Sequence, residues 1–253
     1  MKLEQRLLGN TGIQVSRLSL GTVKIGRNTD VKYPSTFDLP GDEAVTELLE
    51  TAHSLGINMI DTAPAYGISE RRLGELMPLT RKDWLLCTKA GENYRDQRSS
   101  FDFSADGIRR SVHNSLSHLR TDYLDIVLLH SDGNDLQILN DTAAMATLAE
   151  LKNQGLVRAI GMSTKTIEGG LAALASSDVV MVTYNPSETS ERPVIKEALR
   201  TGKGVMIKKA LASGHGNPAE NLQFALSEPG VSTVVLGTIN PKHLIENVAL
   251  ATR

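Results

Sequence analysis

One cysteine, Cys87, is all that this 253-residue chain carries, so no internal disulfide can form and a reducing compartment, the cytosol, is the expectation. Aromatic residues are scarce at 4%, and neither sign of charge dominates: 27 Lys and Arg against 29 Asp and Glu leave a net charge of −2. Without a basic block, nothing points to nucleic acid or to an anionic membrane surface. No apolar stretch approaches the ~20 residues needed to span a bilayer. The amino-terminal MKLEQRLLGNTGIQVS has no apolar core ahead of a small-residue cleavage site, so no secretory leader is expected. No Gly-x-Gly-x-x-Gly follows an apolar run, and the one Gly-x-Gly, in TGKGVM, precedes a strand, which argues against a Rossmann dinucleotide site.

What the chain does have is a regular alternation. Short apolar runs occur at LSLGT (18–22), NMID (58–61), WLLCTK (84–89), YLDIVLLH (123–130), VRAIGMS (157–163), VVMVTYN (179–185), GVMIKKA (204–210) and TVVLGT (233–238). Between them lie stretches of helical periodicity, opening near Asp42, Glu70, Ala105, Asp141, Ile167, Glu191, Pro218 and Pro241. Continuously apolar strands separated by helices signal a parallel sheet. Eight even units without a linker predict an α/β fold, one (β/α)₈ barrel domain over residues 1–253, preceded by a hairpin-like segment around the GNTG turn at 9–12. The longest irregular stretches, 23–41 and 91–104, each follow a strand's carboxyl end and are candidate walls of an active-site mouth.

Four polar side chains stand where apolar runs stop: Asp61 after NMI, Tyr66 in DTAPAYG, Lys89 at the end of WLLCTK, and His130 at the end of YLDIVLLH. On a barrel that rim carries the chemistry. An aspartate alone is more often a turn or cap residue, and a tyrosine or histidine alone is more often packing. A lysine at the inner end of a barrel strand needs a partner, and Asp61 offers one. A tyrosine is a reluctant acid, with an ordinary pKa of about 10. An ammonium ~4 Å away, at an effective dielectric near 20, is worth ~4 kcal/mol, which lowers that pKa by up to ~3 units before desolvation opposes it. Together the four read as a device that protonates an alkoxide as it forms from a carbonyl.

With these segments in place, the chain resembles the aldo-keto reductase family over nearly its whole length. LGNTGIQVSRLSLGT, LGINMIDTAPAYGISERRLGE, SLSHLRTDYLDIVLLHSD, LKNQGLVRAIGMST, the YNP of VTYNP and VVLGTINPKHLIENV carry the likeness. The resemblance implies a barrel that reduces aldehydes or ketones with NADPH and without a metal, Tyr66 being the general acid, Lys89 and Asp61 tuning it, and His130 orienting the substrate. It implies cofactor contacts at Gly21, Thr22, Ser163, Thr164 and Lys208, and an adenosine-phosphate clamp at Gly237, Thr238, Asn240, Lys242, His243, Glu246 and Asn247. Ser131 and Asp132 then fall to the small-molecule carbonyl substrate.

Departures from the family pattern are specific. Thr164 replaces an asparagine, Met181 a glutamine, and Lys208, Lys209 and Ala210 stand where an aromatic often stacks on the nicotinamide. His243 takes the place of an arginine against the 2′-phosphate, which brings NADH use within reach. The sequence ends at Arg253, just past the last helix, so an open substrate pocket is expected. A monomer or weak homo-oligomer is expected. Two other readings stay open: a lyase or aldolase with a Schiff base on Lys208 or Lys209, only one of which would face the barrel interior from a strand, and a cofactor-binding regulatory protein.

Overall fold

The computed structural model describes residues 3–252 except 32, 34, 35, 79 and 215. The chain opens with an antiparallel hairpin, β1 (Gln5–Leu7) and β2 (Gln14–Ser16). The first barrel strand is β3 (Leu18–Gly21), followed by β4 (Met59–Asp61) and β5 (Leu85–Ala90). A second hairpin, β6 (Glu92–Arg95) with β7 (Arg98–Phe101), stands outside the barrel. The remaining barrel strands are β8 (Leu124–His130), β9 (Val157–Ser163), β10 (Val179–Thr183), β11 (Gly204–Lys208) and β12 (Thr233–Leu236). Eight parallel strands close in chain order, with β12 pairing back onto β3, as the alternation predicts.

Two apolar layers hold this arrangement. Met59, Cys87, Ile126, Leu128, Ala159, Val179, Met181 and Met206 fill the barrel interior, and Leu8, Ile13 and Val15 of the first hairpin pack into the same cluster. That hairpin therefore closes the amino-terminal mouth. Its fit is tight: a Cβ on Gly9, whose φ is +54°, would lie 2.4 Å from the backbone nitrogen of Gly204. The outer layer joins the opposite strand faces to the helices, for example Val45, Leu48, Leu49 and Ala52 of Asp42–Ser54. With one end plugged, the barrel interior opens at the carboxyl-terminal rim, where a cavity is lined by strand-end residues.

Three elements differ from the reading of the sequence. The stretch 91–104, read as irregular, contains the β6–β7 hairpin, whose turn residues Asp96 and Gln97 have φ of 49° and 60°. Such turns usually show Asn-Gly or Asp-Gly, so this one carries no glycine signal. Asp135–Asp141 forms a helix ahead of Ala144–Asn153, where only the second was expected. Val23–Gly26 forms one helical turn inside the loop 23–41. Residues 32, 34 and 35 of that loop lie outside the described residues.

Candidate active site

The rim gathers three of the four candidate side chains directly from strand ends: Asp61 from β4, Lys89 from β5 and His130 from β8. Tyr66 comes from the single 3₁₀ turn Pro64–Tyr66 that follows β4. Two glycines let that turn sit backbone to backbone on residues 23–26. A Cβ on Gly67, at φ +62°, would lie 2.2 Å from the Gly26 carbonyl oxygen, and one on Gly26 would lie 2.2 Å from that of Tyr66. The Ser69 hydroxyl donates to the Thr22 carbonyl at 3.1 Å, and the Thr22 hydroxyl donates to the Asp61 carbonyl at 2.9 Å. The position of Tyr66 is thus set by contacts that reach back to β3 and β4.

Lys89 is buried, and its ammonium donates to Asp61 Oδ1 at 2.8 Å, to Oδ2 at 2.9 Å and to the Thr62 carbonyl at 2.9 Å. All three of its donors are used, and it lies 4.8 Å from the centroid of the Tyr66 ring. Burial opposes its charge, but the Asp61 carboxylate and the neighbouring Tyr66 and Cys87 outweigh burial and raise its pKa, so Lys89 stays an ammonium. Tyr66 and His130 meet edge to face, with ring centroids 6.3 Å apart. A cavity of about 620 Å³ is lined by all four residues.

One expectation is corrected. Lys89 does pull the Tyr66 phenol down, yet burial pushes harder the other way, and the phenol ends at about 12. Tyr66 is therefore a protonated phenol throughout the ordinary pH range. His130 shows the same conflict: burial, the largest influence, lowers its pKa, Lys89 and Lys208 add to the lowering, and Glu92 resists.

The Aldo/keto reductase family profile matches residues 17–221. The chain belongs to the aldo-keto reductase family. It is similar to a crystal structure of a candidate aldo-keto reductase from Pseudomonas aeruginosa, with 49% identity, a TM-score of 0.91, and coverage of 98% of this chain and 93% of that one. It is 28% identical to L-galactose dehydrogenase of Arabidopsis thaliana across 99% of this chain and 89% of that protein. Against the NADH-specific methylglyoxal reductase of Escherichia coli (strain K12) the identity is 36%, over 61% of this chain and 50% of that protein.

This aldo-keto reductase brings Gly21, Thr22, Ser163, Lys208 and Gly237 to the same cavity as the four rim residues. Lys208 donates to Ser163 Oγ at 2.9 Å and to the Thr164 carbonyl at 2.5 Å. Burial, chiefly, lowers its pKa to about 8 against the opposing pull of Glu191. Lys209 also lines the cavity, so both lysines face it: the strand ends at Lys208, and Lys209 turns off the alternation at φ +54°. The Thr164 hydroxyl is turned to Glu191, 3.1 Å away.

Other candidates lie elsewhere. Thr238, Asn240, Lys242, His243, Glu246 and Asn247 occupy the rim past β12 and the first two turns of the helix Pro241–Ala251, with Lys242, His243 and Glu246 exposed and Asn247 buried. Asn240 caps that helix, its Oδ1 accepting from the Lys242 amide at 2.9 Å. Ser131 is buried against the Asp135 carboxylate, and Asp132 accepts from the Asn134 amide at 2.8 Å, so both are engaged in the turn that starts Asp135–Asp141.

Two acidic residues at the rim escaped the reading of the sequence. Glu191, which accepts from the Thr183 amide at 2.7 Å and lines the cavity, carries no local signal. Glu92 had a usable one: it is three residues past Lys89, at the start of a stretch already marked as a wall of the mouth. Its Oε2 lies 2.8 Å from His130 Nδ1 in a bent contact, off the line of a straight hydrogen bond.

No helix among the described residues is long and apolar enough to cross a membrane.

Proposed function

We propose that this chain acts as a single barrel domain in the cytosol, as a monomer or weak homo-oligomer, and reduces aldehydes or ketones with NADPH, accepting NADH as well. One observation carries the reading: a buried ammonium fixed by both oxygens of Asp61 lies 4.8 Å from the Tyr66 ring, in the cavity that His130 also lines. When bound, the nicotinamide supplies the hydride. Tyr66 gives its phenolic proton to the oxygen of the reacting carbonyl. An alkoxide is a far stronger base than a phenolate, so a phenol held near 12 still transfers its proton downhill. The phenolate charge that develops meets the Lys89 ammonium, which Asp61 keeps charged and in place. His130 orients the substrate.

The residues present fit a dinucleotide. Lys208 is a half-buried cation with no carboxylate within ion-pair distance among the described residues. With Ser163, Thr164, Gly21 and Thr22 it would hold the nicotinamide end. The positive end of the helix Pro241–Ala251, with Lys242 and His243 on its first turn, would hold the phosphates together with Gly237, Thr238, Asn240, Glu246 and Asn247.

Tyr66→Phe is expected to abolish turnover across an aldehyde panel while NADPH affinity, followed by fluorescence, changes less than about twofold. Turnover near the parent level would show that Tyr66 is not the proton donor. A second reading rests on Lys208, because a partly desolvated amine lowered to about 8 is what Schiff-base chemistry needs. Borohydride with a ketone decides: a covalent adduct on Lys208 moves the assignment to a lyase.

A further inference from the structure

Glu191 stands at the amino end of the helix Arg192–Arg200, where a short polar side chain usually caps the first turn. Its carboxylate makes no such bond and is buried against the barrel instead. Oε2 accepts from the Thr183 amide at the end of β10 at 2.7 Å, and Oε1 accepts from the Thr164 hydroxyl at 3.1 Å. Both neighbours are donors, so the side chain is held as an acceptor. An ionised carboxylate has about four lone-pair sites, of which these bonds use only a part. The remainder has the cavity before it, because Glu191 lines the same space as Tyr66 and Lys89.

The groups beside it complete a pattern. Ser163 Oγ accepts from the Lys208 ammonium at 2.9 Å, so the hydroxyl keeps its own hydrogen for another acceptor, and none bonds it among the described residues. Met181, the register partner of Ser163 on β10, adds only a thioether to this wall. The wall therefore offers an O–H donor backed by an ammonium, and a carboxylate acceptor. Round the closed barrel β10 is four strands from β4 in either direction, which sets this wall across the mouth from the turn that carries Tyr66. A ligand with its reacting edge at Tyr66 can thus place a further polar group here. A primary carboxamide carries on one carbon both the acceptor that suits Ser163 and the donor that suits Glu191. A ketone or an ester has no N–H to give, and a carboxylate would meet Glu191 as a like charge.

We propose that Glu191 accepts from the amino group of the cofactor's carboxamide while Ser163 donates to its carbonyl oxygen, so that the site rejects nicotinamide analogues lacking that N–H. This rests on the nicotinamide-dependent reading of the site. Glu191 is then a binding residue and takes no part in hydride or proton transfer. The Thr183 amide and the Thr164 hydroxyl fix its carboxylate beforehand, so little side-chain freedom is lost when the cofactor arrives. Discrimination follows because an analogue without the N–H covers a buried carboxylate and leaves it short of a partner.

Calorimetric titration with NADPH and with its 3-acetylpyridine analogue tests it. The analogue keeps the carbonyl oxygen and carries a methyl group where the amino group was. The parent is expected to bind NADPH about tenfold more tightly than the analogue, the usual worth of one hydrogen bond to a charged acceptor. In Glu191→Gln the amide oxygen must serve the Thr183 N–H, which turns the NH₂ to the other position, where it opposes the amino group of the cofactor. The ratio should then fall to about one through weaker binding of NADPH, with the Kd of the analogue changed less than about twofold. Glu191→Asp keeps the charge but withdraws it by one methylene, and should cut the ratio about threefold. A purely structural Glu191 would move both Kd values alike and leave the parent's ratio in place in both variants, which overturns the proposal. Should Glu191→Gln fail to fold, Glu191→Asp decides on the same ratio. A parent that binds NADPH and the analogue equally sinks this inference and leaves the reductase reading standing; a parent that binds neither NADPH nor NADH overturns both.

Discussion

Replacing Lys89 by methionine removes one positive charge while keeping most of the side chain's volume in a buried site. The ammonium lies 4.8 Å from the centre of the Tyr66 ring. At an effective dielectric near 20, Coulomb's law makes that interaction with a full phenolate worth about 3.5 kcal/mol. If the proton is largely transferred in the transition state, turnover should fall by about 300-fold. The same substitution strips Asp61 of its counter-ion in a nearly dry environment, which costs about 3–5 kcal/mol of stability, or roughly 10 °C in Tm. The two effects separate in the double variant Asp61→Asn/Lys89→Met, where no buried charge is left unpaired. Calorimetry should show Tm recovering most of the loss, while steady-state kinetics with an aldehyde should show no recovery of kcat. Turnover in the double variant within about tenfold of the parent would refute the reasoning, because the cation would then act only by preserving the fold.

Lys208 should impose a pH dependence on cofactor affinity. Its pKa of about 8 means that it is charged below and neutral above that value, so the Kd for NADPH should rise above pH 8 in the parent and stay flat in Lys208→Met. Fluorescence titrations from pH 6.5 to 9.5, on the order of one pKa unit or more either side of the break, check this, and parallel curves would count against Lys208 as a cofactor contact. Acid stability should follow Glu92 and His130. Both have folded values below their ordinary ones of 4.5 and 6.5, so the unfolded chain binds protons first and stability falls with pH, below about 6.5 for His130 and from 4.5 towards 2 for Glu92. Tm should therefore vary less between pH 7 and 5 in His130→Asn than in the parent, and identical slopes would contradict it. At the outer rim, His243→Arg should tighten NADPH about tenfold while changing NADH little, since only a fork-shaped cation gains from the 2′-phosphate. Equal effects on the two would place residue 243 away from that phosphate.

The barrel was legible because its strands are buried on both faces. A run such as VRAIGMS is continuously apolar, and the period-3.6 stripes between such runs identify the helices without any knowledge of tertiary contacts. The four rim residues were legible for a related reason: Lys89 and Asp61 end runs that otherwise exclude charge, and each needs the other. What escaped depends on contacts distant in sequence. Glu92 reaches His130 across 38 positions, carried by a hairpin whose turn lacks glycine. The preference of Lys208 for Ser163 and Thr164 spans more than 40 residues. The direction of the shift at Tyr66 escaped as well, because a sequence shows which charges are available but not how much water is removed around a phenol.

That shift bears on how the site works. Burial and the Lys89 ammonium act on the same species, the phenolate, with opposite signs, and in the resting protein burial prevails. The result keeps the proton on Tyr66 at every pH where a cell operates, so the acid is always loaded. Burial is a fixed cost of the cavity, whereas the pull of the cation grows with the negative charge that the departing proton leaves on the ring. Asp61 governs that pull in two ways: it keeps Lys89 protonated against burial, and it occupies two of the three ammonium hydrogens, with the Thr62 carbonyl taking the third. Lys89 acts on Tyr66 chiefly through its charge, with a smaller hydrogen-bond contribution in the same direction. Asp61→Asn alone should therefore weaken catalysis by removing the carboxylate that holds the ammonium charged and in place, which steady-state kinetics with an aldehyde would show as a loss of kcat.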